Sequence, residues 1–289
     1  MLMNKCKSFI IKCLLSVYTK KRNFWLRSLI KKSIGQQRIK IKYGGFNLMV
    51  GLESSIESNI LFDEYSEKTI LKIINYFALK NYNFVDVGAN IGLHTLTAAN
   101  ANSNIEVFSF EPEPNNFYKL IKNISINDCL NIRPFKLGLG ESSYINQMNI
   151  NQGWNNGKHS MKVHFGTNQK NINIPVSLLD NFKENISNGP LIIKIDVEGY
   201  EKEVIEGATK FLNNLDNSIL IIELLEEING LLICKEIKDM LIKLNFKEIY
   251  KINSNEVFEL VDDYYGSGDY IFLKGNTAIE DFNRLKNYA

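Results

Sequence analysis

Short apolar runs alternate with amphipathic stretches along most of the chain. Residues 38–50 (RIKIKYGGFNLMV) alternate in polarity on both sides of Gly44-Gly45 and predict a hairpin. Ile70, Leu71, Ile74 and Phe77 recur at helical spacing and predict a helix within 64–80. Asn83–Val87 reads as a short strand carrying Asp86, followed by a helix from Ile91. A second strand over 105–110 ends at Glu111; a helix from about Asn115 and a strand near 131–137 follow. Residues 141–175 break the pattern: they are polar, carry Gly153, Trp154, Gly157, His159 and His164, and predict an inserted β-hairpin or flap. Regularity returns at Ser177–Phe182. Then come strand Leu191–Asp196, helix Tyr200–Leu212, strand Ser218–Leu225, a helix near 234–244 and late strands around 246–251 and 269–274. Strands alternating with helices predict an α/β fold with a mostly parallel, doubly wound sheet. The expected organisation is a basic arm and hairpin over 1–60, the main domain over 61–275 with its polar insert, and a tail over 276–289.

Charge sharpens this division. Residues 1–42 hold 12 of the 34 Lys and Arg and no acid, which leaves 22 basic and 32 acidic residues, a net of −10, for the rest. A basic arm on an acidic body, with no reader motif, argues against a nucleic-acid partner. It suits an anionic membrane surface instead, with Lys5, Lys12, Lys20, Lys21 and Arg22 around apolar residues and Phe24-Trp25-Leu26 behind them. It would also suit a basic-tolerant partner, and the ordinary reading is a helix packed against the body of the protein. Phe9–Tyr18, the most apolar stretch, is about half a bilayer span and contains Lys12. It also lacks a small-residue cleavage site. Cys6, Cys13, Cys129 and Cys234 form no CxxC pair, so neither a disulfide framework nor a zinc site is expected. The expected location is the cytoplasm, with peripheral contact at the inner membrane face.

Three clusters carry chemistry. Asp86-Val87-Gly88-Ala89-Asn90-Ile91-Gly92 is a glycine turn between strand and helix, where backbone can approach a ligand and a helix offers free N–H groups. Its GxxxG spacing is neither GxGxxG nor a phosphate-binding GK[ST] loop, which disfavours a pyrophosphate cofactor and with it a dehydrogenase. Glu111, at the tip of the second strand, is placed to accept hydrogen bonds from a ribose. Lys194-Ile195-Asp196-Val197-Glu198-Gly199 crowds two carboxylates and a lysine at the tip of the fourth strand, beside the crevice where such sheets bind ligands. A nucleoside cofactor without a phosphate cradle points to S-adenosylmethionine, with Asp86 serving its cationic amino-acid end.

FVDVGANIGLHTL (84–96), FSFEPEPNNFYKL (108–120), SLLD (177–180) and IKIDVEGYEKEVIEGA (193–208) together resemble the FkbM family of S-adenosylmethionine-dependent methyltransferases across roughly 82–226. The resemblance implies a class I methyltransferase fold: a Rossmann-like three-layer sandwich with a mostly parallel seven-stranded sheet and one antiparallel strand. It implies that Asp86, Gly88, Ala89, Asn90 and Gly92 surround the methionine part of the cofactor. Glu111 then meets the ribose, Pro112 and Pro114 shape the following turn, and Asn115 lies close by. Asp196, Glu198 and Lys194 fall in the signature near the acceptor, and His94 sits where members vary.

Methyl transfer from a sulfonium needs alignment and a base for the hydroxyl proton. Asp196 or Glu198 is the expected base, or His159 or His164 if the insert closes as a lid. A metal on Asp196 and Glu198 lacks a third ligand, and none is expected. By analogy with the family, the acceptor is a sugar hydroxyl of a surface glycan, of capsule or lipopolysaccharide type, with a lipid or polyketide hydroxyl as the alternative. A catalytically silent glycan- or partner-binding protein on the same fold is the third reading, and Asp86, Glu111, Asp196 and Glu198 argue against it.

Overall fold

The computed structural model describes residue 11, residues 13–18, residue 22, residues 24–151, residue 161, residues 169–186 and residues 189–288. Gly153, Trp154, Gly157, His159, His164, Cys6 and, in the basic arm, Lys5, Lys12, Lys20 and Lys21 therefore lie outside the described residues. Helix α1 (Phe24–Ile34) leads to the hairpin β1 (Ile39–Tyr43) and β2 (Phe46–Val50), whose register turns on Gly44-Gly45 as the alternation predicts. Helices α2 (Ser55–Leu61) and α3 (Lys68–Leu79) precede the sheet.

The sheet begins with β3 (Asn83–Val87), α4 (Leu93–Ala101), β4 (Val107–Phe110), α5 (Pro114–Ser125) and β5 (Ile132–Phe135). The short β6 (Gly138–Leu139) and the hairpin β7 (Tyr144–Asn151) and β8 (Gln169–Ser177) make a separate three-stranded sheet, so the polar insert is a hairpin as predicted. Strand β9 (Leu191–Ile195), α6 (Glu201–Glu206), α7 (Thr209–Asn213), β10 (Ser218–Leu224), α8 (Glu226–Asn229) and α9 (Leu231–Lys243) follow. The chain closes with β11 (Glu248–Ile252), β12 (Phe258–Val261), β13 (Gly268–Lys274) and α10 (Asn276–Tyr288).

The main sheet has the order β12-β11-β13-β10-β9-β3-β4-β5. Strands β5, β4, β3, β9 and β10 are parallel, and β13 inserts antiparallel between β10 and β11. That is the seven-stranded class I methyltransferase arrangement. An eighth strand, β12, extends the edge antiparallel to β11; its four-residue FELV sequence is too short to stand out from the turns around it.

Two apolar layers enclose the sheet. One face packs against α1, α2, α3, α4 and α10, the other against α6, α7 and α9. Because side chains alternate along a strand, Phe84 and Ile192 enter the first layer while Val85, Ile193 and Ile195 enter the second. Asp86 and Lys194 share the parity of Phe84 and Ile192 and are register partners, so both face α3 and α4.

One expected boundary is corrected. Residues 276–288 are not a tail, because Ala278, Phe282 and Leu285, at helical spacing, bury into the first layer, and Phe282 contacts Phe77, Tyr250 and Phe258. The described part of the N-terminal segment packs on the body. Ile11, Leu15, Tyr18, Ile30 and Ile34 enter the same layer, and Glu64 accepts hydrogen bonds from Tyr18 (2.6 Å) and Arg27 (3.0 Å). The helix expected over Tyr200–Leu212 is two helices meeting at Gly207-Ala208. The carboxylate of Asp180, from the SLLD run, accepts from the N–H groups of Phe211 (2.7 Å) and Lys210 (3.3 Å) and fixes the start of the second.

Candidate active site

A cleft opens at the carboxyl ends of β3, β4 and β9. Gly88, Ala89, Asn90, Glu111, Pro112, Asp196 and Glu198 line it, together with Tyr65, Glu67 and His94. Seven residues picked from the sequence therefore meet in one cleft. Asp86, Gly92 and Lys194 do not line it, and the reasons are structural.

Asp86 is buried, and its carboxylate accepts a 2.6 Å hydrogen bond from Thr95 of α4. Thr95 is also 2.9 Å from the Ser109 hydroxyl. Strand parity turns Asp86 toward the helix that follows, where this bond anchors the turn. Burial raises its pKa. The glycines serve packing more than ligand approach. Gly88 has φ +89°, and a Cβ there would lie 1.9 Å from the Asp196 carbonyl oxygen. Gly92 also has φ +89°, and its Cβ would lie 2.5 Å from Leu120.

One half of the cleft is built by main chain. Asn90 takes φ +51°, a conformation asparagine tolerates, and presents its N–H to Glu111 Oε2 at 2.7 Å. Glu111 Oε1 accepts from the N–H of Glu113 at 2.9 Å. Burial outweighs these bonds and pushes the Glu111 carboxyl up to about 8. Each oxygen keeps acceptor capacity for a ribose hydroxyl. Leu137, Leu139, Met148 and Met161 supply an apolar flank suited to a purine ring, and the last two belong to the insert. A buried acid at the tip of β4, the adjoining turn and this apolar flank fit S-adenosylmethionine. Glu113, which the sequence reading passed over, caps α5 by accepting from the Asn116 N–H at 2.6 Å, and Pro114 occupies the first turn. Asn115 donates to Glu113 at 3.1 Å and faces a neighbouring groove.

The other half is built by charged side chains. Lys194 Nζ lies 2.7 Å from Asp196 and 3.8 Å from Glu67. Burial pulls the ammonium's pKa down, but Asp196, Glu67 and Asp86 outweigh it and raise it well above the ordinary lysine value. Glu67 stands at the N-cap of α3 but makes no cap bond. Its carboxylate lies 3.3 Å from His94 Nε2 instead. Burial opposes its ionisation, yet Lys194, His94 and the Tyr65 hydroxyl hold it at about 2. Tyr65 Oη is 3.5 Å from the same His94 nitrogen. Asp196, about a quarter exposed, keeps a face open to the cleft while Lys194 fixes it.

The loop after Asp196 is held by Glu201, whose Oε1 accepts from the N–H groups of Val197 (3.3 Å) and Gly199 (3.1 Å). Glu198 takes φ +51° within it. Behind Lys194, Glu223 and Asp269 are register partners on the same sheet face. Burial, with repulsion from Asp196 on Glu223 and from Glu67 on Asp269, pushes their carboxyls up to about 9 and about 7. No group of three or more metal-ligating side chains occurs among the described residues. Nor is any described helix long and apolar enough to cross a membrane.

Tyr65 and Glu67 lie outside every motif read from the sequence, and His94 received little weight there. A glutamate just ahead of an amphipathic helix looks like a cap, and only the packing of α3 on β9 reveals its partner.

Comparison with known proteins gives the family. A family model described as the methyltransferase FkbM domain matches residues 86–248, more than half of the chain. Hexuronic acid methyltransferase AglP of Haloferax volcanii is 28% identical over 201 residues, which cover 68% of this chain and 77% of that one. Among solved structures, TYW2 of M. jannaschii in complex with AdoMet is 14% identical at a TM-score of 0.43, covering 82% of this chain and 85% of that one. The O-methyltransferase TomG of Streptomyces achromogenes in complex with SAM is 8% identical at a TM-score of 0.43, covering 73% and 80%.

Proposed function

The chain belongs to the FkbM family of methyltransferases and uses S-adenosylmethionine; from that premise we propose that it methylates a sugar hydroxyl of a surface glycan. The observation that carries this reading is the juxtaposition in one cleft of the Glu111 cradle with the polar group formed by Tyr65, Glu67, His94 and Asp196. A sugar presents several hydroxyls at fixed angles, and these four side chains offer donors and acceptors to match them. The related hexuronic acid methyltransferase supports the same acceptor class.

When bound, the cofactor supplies an electrophilic methyl group on a sulfonium whose leaving group departs neutral. The protein's task is therefore alignment and proton removal. Glu111 and the Ala89–Asn90 main chain hold the nucleoside end, at the tip of β4 and the turn after β3. Asp196 accepts the acceptor's hydroxyl proton, a contribution of about 10²–10⁴-fold. Lys194 donates to that carboxylate and fixes its position. Glu198 bounds the acceptor from the following turn. Tyr65, Glu67 and His94 orient it from the opposite wall.

The direct test is incubation with methyl-labelled cofactor and a glycan fraction from the source cells, followed by mass spectrometry of the products. Label in a sugar O-methyl is expected; label only in lipid overturns the sugar reading. Asp196→Asn should lower the rate by at least about 100-fold with unchanged cofactor affinity. A rate within a few-fold of wild type would move the base to Glu198 or His94.

We also propose that residues 1–42 contact the inner membrane face from a cytoplasmic enzyme. Phe24 and Trp25 are among the most exposed apolar residues described, beside Arg22 and the Lys31-Lys32 end of α1. Replacing both aromatic residues by glutamate should abolish cosedimentation with anionic vesicles; unchanged cosedimentation rejects this role.

A further inference from the structure

We propose that the acceptor is bound as a glycan chain, along a trough that leaves the cleft at Glu67 and crosses the start of α3. This rests on the sugar-hydroxyl reading above and adds the size of the acceptor. Three recesses follow one another and share walls. The cleft shares Glu67 with a second recess of 630 Å³, bounded by Lys251, Asn253, Glu259, Tyr265 and Asp269. The second shares Thr69, Ser254 and Glu256 with a third of 640 Å³, which ends at Lys72 and Lys286. Along α3 the walls extend from Glu67 to Ile73, a rise of about 9 Å, enough for a pair of sugar units beyond the one methylated.

The trough is braced. Thr69 Oγ1 donates to Glu256 at 2.6 Å and ties α3 to the β11–β12 turn. Lys251 Nζ donates to the carbonyls of Tyr265 (2.6 Å) and Gly266 (2.9 Å). Its ammonium lies 4.3 Å from the centre of the Tyr265 ring, and the Tyr265 hydroxyl donates to Glu259 at 2.6 Å. Tyr265 is thus held at its ring, its hydroxyl and its backbone although it is nearly half exposed. An exposed aromatic side chain fixed in advance loses little freedom on binding. Sugars present an apolar C–H face to such a ring and hydroxyls to carboxylates and amides, which is the chemistry of this wall. A lipid or polyketide chain would meet Glu67, Glu256, Glu259 and Asp269 instead, and would desolvate them without return.

Binding energy from distant sugar units can be spent at the reacting one, so the trough predicts a rate that grows with chain length. The test uses the source-cell glycan fraction, partly hydrolysed and separated into mono-, di- and trisaccharide pools, with labelled cofactor. For wild type, kcat/KM should rise at least about tenfold from mono- to trisaccharide. Tyr265→Ala and Ser254→Arg, both at exposed positions, should abolish that rise while leaving monosaccharide turnover and cofactor affinity unchanged. Equal rates for all pools in wild type, or an undiminished rise in both variants, overturns the trough. If no pool is labelled, the sugar reading itself has failed. Saturation-transfer NMR of the trisaccharide pool against enzyme loaded with S-adenosylhomocysteine then decides the trough separately: no transfer to wild type overturns it.

Discussion

The two halves of the cleft are held by different forces. Around Glu111, the main chain does the holding: N–H groups of Asn90 and Glu113 fix one carboxylate, and burial keeps it readily protonated. Around Lys194, one ammonium holds Asp196 and Glu67 and keeps Glu67 ionised. Main-chain cradles depend little on side-chain identity and suit a ligand common to a family. Side-chain networks change with single substitutions and suit the part of the site that chooses an acceptor. The family match starts at residue 86, so Tyr65 and Glu67 fall outside it.

The sharpest way to break this contrast is Lys194→Met. It leaves Asp196, Glu67 and Asp86 without their cation and should cost about 3–5 kcal/mol, lowering the melting temperature by about 10 °C. An unchanged melting temperature by calorimetry would show that the network is not held by this ion. Glu111→Gln should instead spare the fold and weaken cofactor binding about 3–10-fold, the value of a hydrogen bond between neutral groups. Isothermal titration with S-adenosylmethionine reads it, and equal affinity would remove Glu111 from the ribose.

The buried carboxyl groups in and behind the cleft should also answer pH in opposite directions. Glu111, Asp269 and Glu223 have folded-state pKa values raised to about 8, about 7 and about 9. The folded protein therefore binds more protons than the unfolded chain above the ordinary carboxyl pKa, and stability falls as pH rises through that window. The loss between pH 5 and pH 8 should read as a falling melting temperature of cofactor-free enzyme. Glu111→Gln should flatten part of that slope. Glu67, held at about 2, has the reverse sign: its contribution is present above pH 4.5 and lost as pH falls toward 2. Glu67→Gln should remove about 1 kcal/mol at neutral pH, the smallest effect of the set, and should reduce the protein's loss of stability on acidification. A steeper acid loss in this variant would contradict the ion-pair assignment.

Much of this architecture is legible in the sequence because local pattern and global fold agree. The hairpin turn at Gly44-Gly45, the strand carrying Asp86 and the carboxylates at strand tips all follow from alternation and spacing. What escaped depends on which face of an element meets which neighbour. Asp86 reads as a ligand until β3 is oriented, when its parity sends it to Thr95. Glu67 reads as a helix cap until α3 packs beside β9. In α10 the signal was present, since Ala278, Phe282 and Leu285 lie on one helical stripe, but a stretch this close to the chain end was read as a tail.

The contact between Gly88 and the Asp196 carbonyl leaves no room for even a methyl group, and the Asp196 N–H donates to the Val87 carbonyl at 3.0 Å. The glycine turn after β3 and the loop that carries Asp196 are thus neighbours by construction, like two jaws cut from one block. Their spacing is inherited from the backbone, so on the proposed mechanism methyl donor and proton acceptor would stay gauged to each other whichever acceptor lies between them.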